Sequence, residues 1–178
     1  MKKTFILPLL VIGLFVLNFA QLQAQRRYRV GYKQQGLTSI TEGILFAPSN
    51  FYKSGLGLQT VIGYQVNPHF SAGIGTGVQS FDSDVYIPAF ADLRAYFIAD
   101  KPFTPYVYGE GGYAIRLEGH PGGLTYTFGV GGKFYTTHTF ALNFSLGYWT
   151  QYIPFDPDNS SLGNRNISAL AVKLGFSF

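Results

Sequence analysis

The sequence lacks cysteine and has few charged residues, and each shortage excludes a class of protein. Without cysteine there is no disulfide and no thiolate ligand or nucleophile. There is also no cysteine to carry a lipoprotein lipid, so we expect membrane attachment to come from the fold itself. Only 12% of the residues are charged, against about 25% in an average soluble domain, which leaves little with which to cover a water-facing surface. No run of like charges occurs, so nucleic acid is not an expected partner.

Long apolar runs are also missing beyond the N-terminus. Lys2 and Lys3 precede an apolar stretch at 5–20, and Ala24 follows as a small residue suited to cleavage. The alternative, an uncleaved anchor helix, is disfavoured because the stretch is shorter than the roughly 20 residues that a spanning helix needs. We therefore predict a secretory signal peptide at 1–24 and one domain at 25–178. A membrane-spanning chain without apolar helices has to close its strands into a barrel.

What the sequence does contain is alternation of apolar and polar residues with a period of two. In the clearest segment, at 139–152, one face carries Phe140, Leu142, Phe144, Leu146, Tyr148 and Tyr152, and the other carries Ala141, Asn143, Ser145, Gly147 and Gln151. Six similar segments and a weaker one at 38–47 bring the count to eight, and an even count is typical of single-chain bacterial barrels. The sequence predicts an all-β fold, an eight-stranded antiparallel up-and-down transmembrane β-barrel.

The links between these segments alternate in kind. Tight turns are predicted at 67–69, 99–102 and 136–138, and more variable links at 48–54, 82–84, 118–123 and 153–166. Outer-membrane barrels place short turns in the periplasm and longer loops outside. With a periplasmic N-terminus the variable links fall outside, which favours the outer membrane of a Gram-negative cell as the location.

Alternation alone does not decide which face points outward, since a lipocalin-like soluble barrel has the reverse arrangement. The polar face consists largely of Gly, Ser, Thr, Gln and Asn, which suits the interior of a narrow barrel better than a water-facing surface. The apolar face is then predicted to contact lipid through two aromatic girdles. The girdle residues are Tyr64, Phe70, Phe97, Phe134 and Phe140 near the periplasmic rim, and Tyr113, Tyr126, Tyr148 and Tyr152 in the external half.

The segments at 88–97 and 141–148, and above all the C-terminal strand, resemble the small outer-membrane β-barrels of the OmpA/OmpX-like kind. The resemblance covers about 38–178, without the peptidoglycan-binding domain of two-domain members. In the last strand, apolar residues occupy every second position up to a terminal Phe: Leu170, Val172, Leu174, Phe176 and Phe178. The resemblance implies that the barrel assembly machinery reads this strand as its signal.

Seven charged residues fall on the faces predicted to point inward: Glu42, Asp92, Arg94, Glu110, Arg116, Lys133 and Lys173. Isolated charges in a low-dielectric interior cost several kcal/mol, so these groups are expected to pair. One interpretation is a polar gate or an ion path. We favour a structural network that plugs the bore, because eight strands leave room only for side chains.

No catalytic, metal or cofactor site is predicted. Among the three histidines only His120, with Glu118, fits the lipid-modifying enzymes found among eight-stranded barrels, and a solvated loop is the simpler interpretation. Asp82, Asp84, Asp156 and Asp158 give weak grounds for divalent cations bridging lipopolysaccharide. We expect a non-enzymatic outer-membrane protein with a structural or surface-interaction role, in contact with lipid and lipopolysaccharide. A narrow passive channel is the alternative.

Overall fold

The computed structural model of the chain describes residues 35–48, 54–81, 84–98, 101–117, 122–137, 139–153 and 165–178. They form eight strands: β1 (Gly36–Pro48), β2 (Gly55–Asn67), β3 (Phe70–Phe81), β4 (Asp84–Tyr96), β5 (Phe103–Arg116), β6 (Gly123–Tyr135), β7 (Ala141–Ile153) and β8 (Arg165–Ser177). The predicted signal peptide lies outside the described residues. So do Glu118, His120, His138, Asp82, Asp156 and Asp158.

Each strand pairs antiparallel with the next one along the chain, and β1 pairs antiparallel with β8. The sheet is therefore a closed barrel with strand order β1 to β8, and the predicted all-β, eight-stranded up-and-down fold is confirmed. The segment at 38–47, the weakest in the sequence, is a full strand of 13 residues. In the part of the chain that the structure describes, no helix is long and apolar enough to cross a membrane.

The barrel has two distinct ends. At the turn end, the links at 68–69, 97–102 and 136–140 lie beside the start of β1 and the end of β8; at the loop end are the links at 49–54, 82–83, 117–122 and 154–164. The first turn is held by Asn67, whose Oδ1 accepts hydrogen bonds from the backbone N–H groups of His69 and Phe70, both at 2.8 Å. Link length does not separate the ends as cleanly as predicted, because 82–83 is short and 97–102 is not.

Alternation along each strand divides the side chains between two surfaces. In β4, for example, Leu93 is 63% exposed on the outside, whereas Asp92 and Arg94 are buried inside. Large apolar side chains cover the outside of all eight strands. Buried polar, charged and aromatic side chains fill the inside, so the core of this molecule is the bore of the barrel.

Candidate functional site

A cluster of five charged residues crosses the middle of the bore. Arg94 on β4 donates two hydrogen bonds to Glu42 on β1, at 3.0 and 3.1 Å, and its Nε bonds Asp92 at 3.1 Å. Lys173 on β8 lies 2.5 Å from Glu110 on β5. All five side chains are almost completely buried, and we call them the bore cluster: Glu42, Asp92, Arg94, Glu110 and Lys173.

A glutamine joins the two halves of the bore cluster. The Nε2 of Gln59, on β2, donates to Glu42 at 3.0 Å and to Glu110 at 2.8 Å. Buried charges are tolerated when their remaining hydrogen-bonding positions are also satisfied. Gln59 does this for two carboxylates at once, and so the five charges behave as one connected unit.

The remaining two of the seven predicted network residues lie apart from the bore cluster. Arg116 pairs with Asp84 near the loop end, where both side chains are partly exposed. The Nζ of Lys133 lies 4.8 Å from the ring centre of Tyr135 and 5.6 Å from that of Tyr96, toward the turn end. The structure thus brings together five of the seven charges and distributes the others along the bore.

Aromatic rings fill the bore on both sides of the bore cluster. On the loop side, Trp149 lies 5.1 Å from Phe46 and 5.0 Å from Phe81, and Tyr86 packs against Phe81. We call these four rings the aromatic plug. On the turn side, three tyrosines pack in a row: Tyr96, Tyr106 and Tyr108. Arg94 makes cation–π contacts with Tyr106 and Tyr108, and Lys173 makes one with Tyr108.

A small cavity lies between the bore cluster and the aromatic plug. Its lining includes Gln59, Gln79, Glu110 and Trp149, and its volume is about 10 Å³. That volume holds about one water molecule. The Oε1 of Gln79, which is buried, has no hydrogen-bond partner in the structure.

The predicted girdle residues all lie on the outer surface. Phe97 and Phe70, at the turn end, are 63% and 56% exposed, and Tyr113, Tyr126 and Tyr152 lie toward the loop end. Tyr148 lies nearer the middle of the barrel, where its ring is 5.6 Å from that of Phe128. One of the four residues predicted for the external girdle therefore lies outside the band that the other three form.

The C-terminal strand presents its predicted apolar residues outward, with Leu170 and Leu174 more than half exposed. At the turn end, Phe176 and Phe178 pack against Phe140, with ring centres 6.2 and 5.3 Å away. The backbone of Phe178 also exchanges hydrogen bonds with Ser39 at 3.0 and 3.3 Å. The last residue thus helps to close the barrel.

Two sets of bore residues are not evident from the sequence. Gln59 has the inward phase but is not predicted as part of the charge network, because a neutral side chain gives no electrostatic signal. The aromatic plug is not predicted either, although alternation beyond Gly147 puts Trp149 on the inward face. Carrying the period of two to the end of each strand would also have placed Phe46 and Phe81 inside.

The described residues offer no obvious chemical centre. No group of three or more His, Asp or Glu side chains among them could hold a metal ion. His69 lies in a turn, where its Nδ1 is 3.0 Å from the carbonyl oxygen of Tyr96. The charged side chains of the bore are paired with one another or packed on rings.

Together these features define a closed eight-stranded β-barrel with an apolar exterior and a filled polar bore. Solved structures of outer-membrane barrels share the fold. Neisserial surface protein A is 14% identical with a TM-score of 0.60, over 83% of this chain and 98% of that one. OprG from Pseudomonas aeruginosa is 12% identical with a TM-score of 0.56, over 84% and 98%. AlkL is 13% identical with a TM-score of 0.52, over 85% and 93%.

The predicted resemblance to small outer-membrane β-barrels is thus confirmed at the level of the fold. At these identities the likeness concerns the fold alone. No family model matches the sequence, and no curated protein matches it either.

Proposed function

We propose that this chain is an integral outer-membrane β-barrel protein with a structural or surface-interaction role, and that its bore does not conduct. The observation that carries the proposal is the opposite polarity of the two faces of one closed sheet. Apolar side chains point out along every strand, and the charged side chains point in and are paired.

The outer surface supports a location in lipid. Among the strand residues whose side chains are described, no outward-facing one is charged, while Ile74 is 75% exposed and Leu56, Leu93 and Phe97 are each 63% exposed. A monomeric soluble protein rarely exposes apolar patches of more than a few hundred Å². In a lipid bilayer these apolar side chains contact hydrocarbon instead of water. A closed barrel is also suited to the bilayer because it leaves no strand edge with unpaired backbone groups.

The comparisons give weaker support in the same direction. The AlkL structure was obtained in lipid bilayers, and OprG is an outer membrane protein. The outward row of β8 that ends in Phe176 and Phe178 fits a strand read by the barrel assembly machinery, as the family resemblance implies. Outer-membrane lipid and lipopolysaccharide are the proposed surroundings, and a cleaved signal peptide the proposed export route.

The filled bore supports a non-conducting role. The aromatic plug, the bore cluster and the row of tyrosines succeed one another between the loop end and the turn end, and the cavity between the first two holds about one water. A passive channel would need these layers to part. The lipid-modifying enzyme considered for Glu118 and His120 concerns residues outside those described and is not part of the proposal.

Neighbouring positions on β7 test the membrane assignment. In membranes isolated from expressing cells, a cysteine introduced by Leu142→Cys should react with a lipid-soluble maleimide, whereas Asn143→Cys, buried in the bore, should react at least tenfold more slowly. The native chain has no cysteine, so label found on this chain can come only from the introduced residue. Folded protein in the soluble periplasmic fraction, or the reverse labelling pattern, would contradict the location.

Planar bilayers test the second half of the proposal. Purified wild-type barrels should show no steady unit conductance. Reproducible open states in the wild type, abolished by enlarging the bore cluster with Gln59→Arg, would establish a channel instead.

A further inference from the structure

The charges of the bore cluster are distributed around the barrel in a particular way. Because β1 pairs with β8, these two strands form the seam at which the barrel closes, and β4 and β5 lie diametrically opposite. The seam strands contribute Glu42 and Lys173. The opposite wall contributes Arg94, Glu110 and Asp92.

Each charge on the seam has its partner on the opposite wall. Glu42 of β1 reaches across to Arg94 of β4, and Lys173 of β8 reaches across to Glu110 of β5. Gln59 links the two crossings by bonding both Glu42 and Glu110. The partners are 52 and 63 residues apart in the chain, so they meet only when the sheet curls into a barrel.

Among the described residues, the seam joins fewer residue pairs than the neighbouring β7–β8 ladder. The β1–β8 register runs from Ile40↔Ser177 to Pro48↔Ala169, and backbone bonds between Ser39 and Phe178 add one further pair. The β7–β8 register runs the full length from Ala141↔Ser177 to Ile153↔Arg165. The seam is the ladder whose two strands lie at opposite ends of the barrel sequence, whereas every other ladder joins consecutive strands.

We propose that the two transverse ion pairs form a clasp that holds the β1–β8 seam closed. An opened seam pulls Glu42 and Lys173 away from Arg94 and Glu110. Breaking a buried pair leaves uncompensated charges in a low-dielectric interior, which is strongly unfavourable. The clasp therefore penalises opening at the seam more than opening at the β2–β3 or β6–β7 ladder, whose strands carry none of the four paired charges.

The test compares local opening at the seam with opening elsewhere, by amide hydrogen exchange of the protein in lipid nanodiscs. Lys173→Met should accelerate exchange at Gly43, Leu45 and Val172 by tenfold or more. In the β6–β7 ladder, at Phe128 and Leu146, the change should stay below threefold. A uniform acceleration, or none, overturns the clasp.

A charge reversal separates the transverse pair from the individual charges. Glu110→Lys combined with Lys173→Glu restores a pair of opposite sign between the same two strands. Seam exchange in this double variant should return to within threefold of the wild type. Exchange as fast as in Lys173→Met overturns the proposal.

If Lys173→Met does not fold, an engineered disulfide across the seam provides a second test. Gly43 and Leu174 are directly opposite across the seam and both face outward, so Gly43→Cys with Leu174→Cys can crosslink it. The oxidised crosslink should restore folding of Lys173→Met, whereas the matched pair Leu58→Cys with Val78→Cys on the β2–β3 ladder should not. Equal rescue by both crosslinks, or by neither, counts against the clasp.

Discussion

Adjacent residues of one strand meet opposite demands for space, as two glycines of β5 show. Gly112 faces the bore, where an added Cβ would overlap the carbonyl oxygen of Ala89 and lie 2.5 Å from the Cα of Phe90. Gly111 faces outward, and an added Cβ there meets nothing within 4 Å. A narrow barrel needs glycine where a large inward side chain of a neighbouring strand lies against the backbone. Gly112 provides this space for Phe90 of β4.

Alanine at these two positions gives a matched pair of variants. Gly112→Ala should lower the free energy of unfolding by about 1–3 kcal/mol, because overpacking displaces Phe90 and the β4 backbone. Gly111→Ala should leave stability unchanged or raise it slightly, since alanine loses less conformational entropy than glycine on folding. Urea titration, followed by the shifted gel mobility of the folded barrel, measures both. Equal effects would show that the bore is not tightly packed at Phe90.

At the scale of elements, four strands each contribute one ring to the aromatic plug. Phe46, Phe81 and Trp149 come from β1, β3 and β7, and they meet because each is the inward residue near the loop end of its strand. Trp149 is the largest fully buried side chain. The aromatic plug packs on the loop side of the bore cluster, with the small cavity between them.

Truncation of the largest ring tests whether the aromatic plug and the bore cluster each block the bore. Trp149→Ala should destabilise the barrel by about 3–5 kcal/mol, as for other buried aromatic residues. Tyr148→Ala, one residue away on the outer surface, should cost less because no cavity forms in the bore. Neither variant should conduct in planar bilayers, because the bore cluster still blocks the path. A steady conductance of Trp149→Ala alone would make the aromatic plug the sole barrier.

For the whole molecule, the turn end and the loop end set the expected orientation in the membrane. Both strand termini of the barrel lie at the turn end, together with the links at 68–69, 97–102 and 136–140. We expect this end to face the periplasm, as in bacterial outer-membrane barrels. In that orientation we expect the link at 154–164, the longest of the seven, to lie outside the cell.

Exposed positions at the two ends test this orientation. Ser54, at the loop end, and Lys101, at the turn end, are both solvent-exposed. In intact cells a membrane-impermeant maleimide should label Ser54→Cys and not Lys101→Cys, and both should react once the outer membrane is permeabilised. Labelling of Lys101→Cys alone in intact cells would mean that the barrel is inserted upside down.

The sequence by itself determined the number of strands and which side chains of a strand share a face. These features are local: a period of two divides side chains between two surfaces whatever the rest of the chain does. That is why alternation alone is enough to assign Leu142 and Asn143, or Leu93 and Arg94, to opposite faces of the sheet.

Only the tertiary structure decided which inward residues meet. Height and angular position in the bore depend on the stagger of all eight strands, which is a property of the closed barrel and not of any one segment. For this reason Glu42 and Arg94 pair across 52 residues of sequence, while Arg116 and Lys133, with the same inward phase, lie in other layers. The aromatic plug arises in the same way, from rings brought to one height by closure of the sheet.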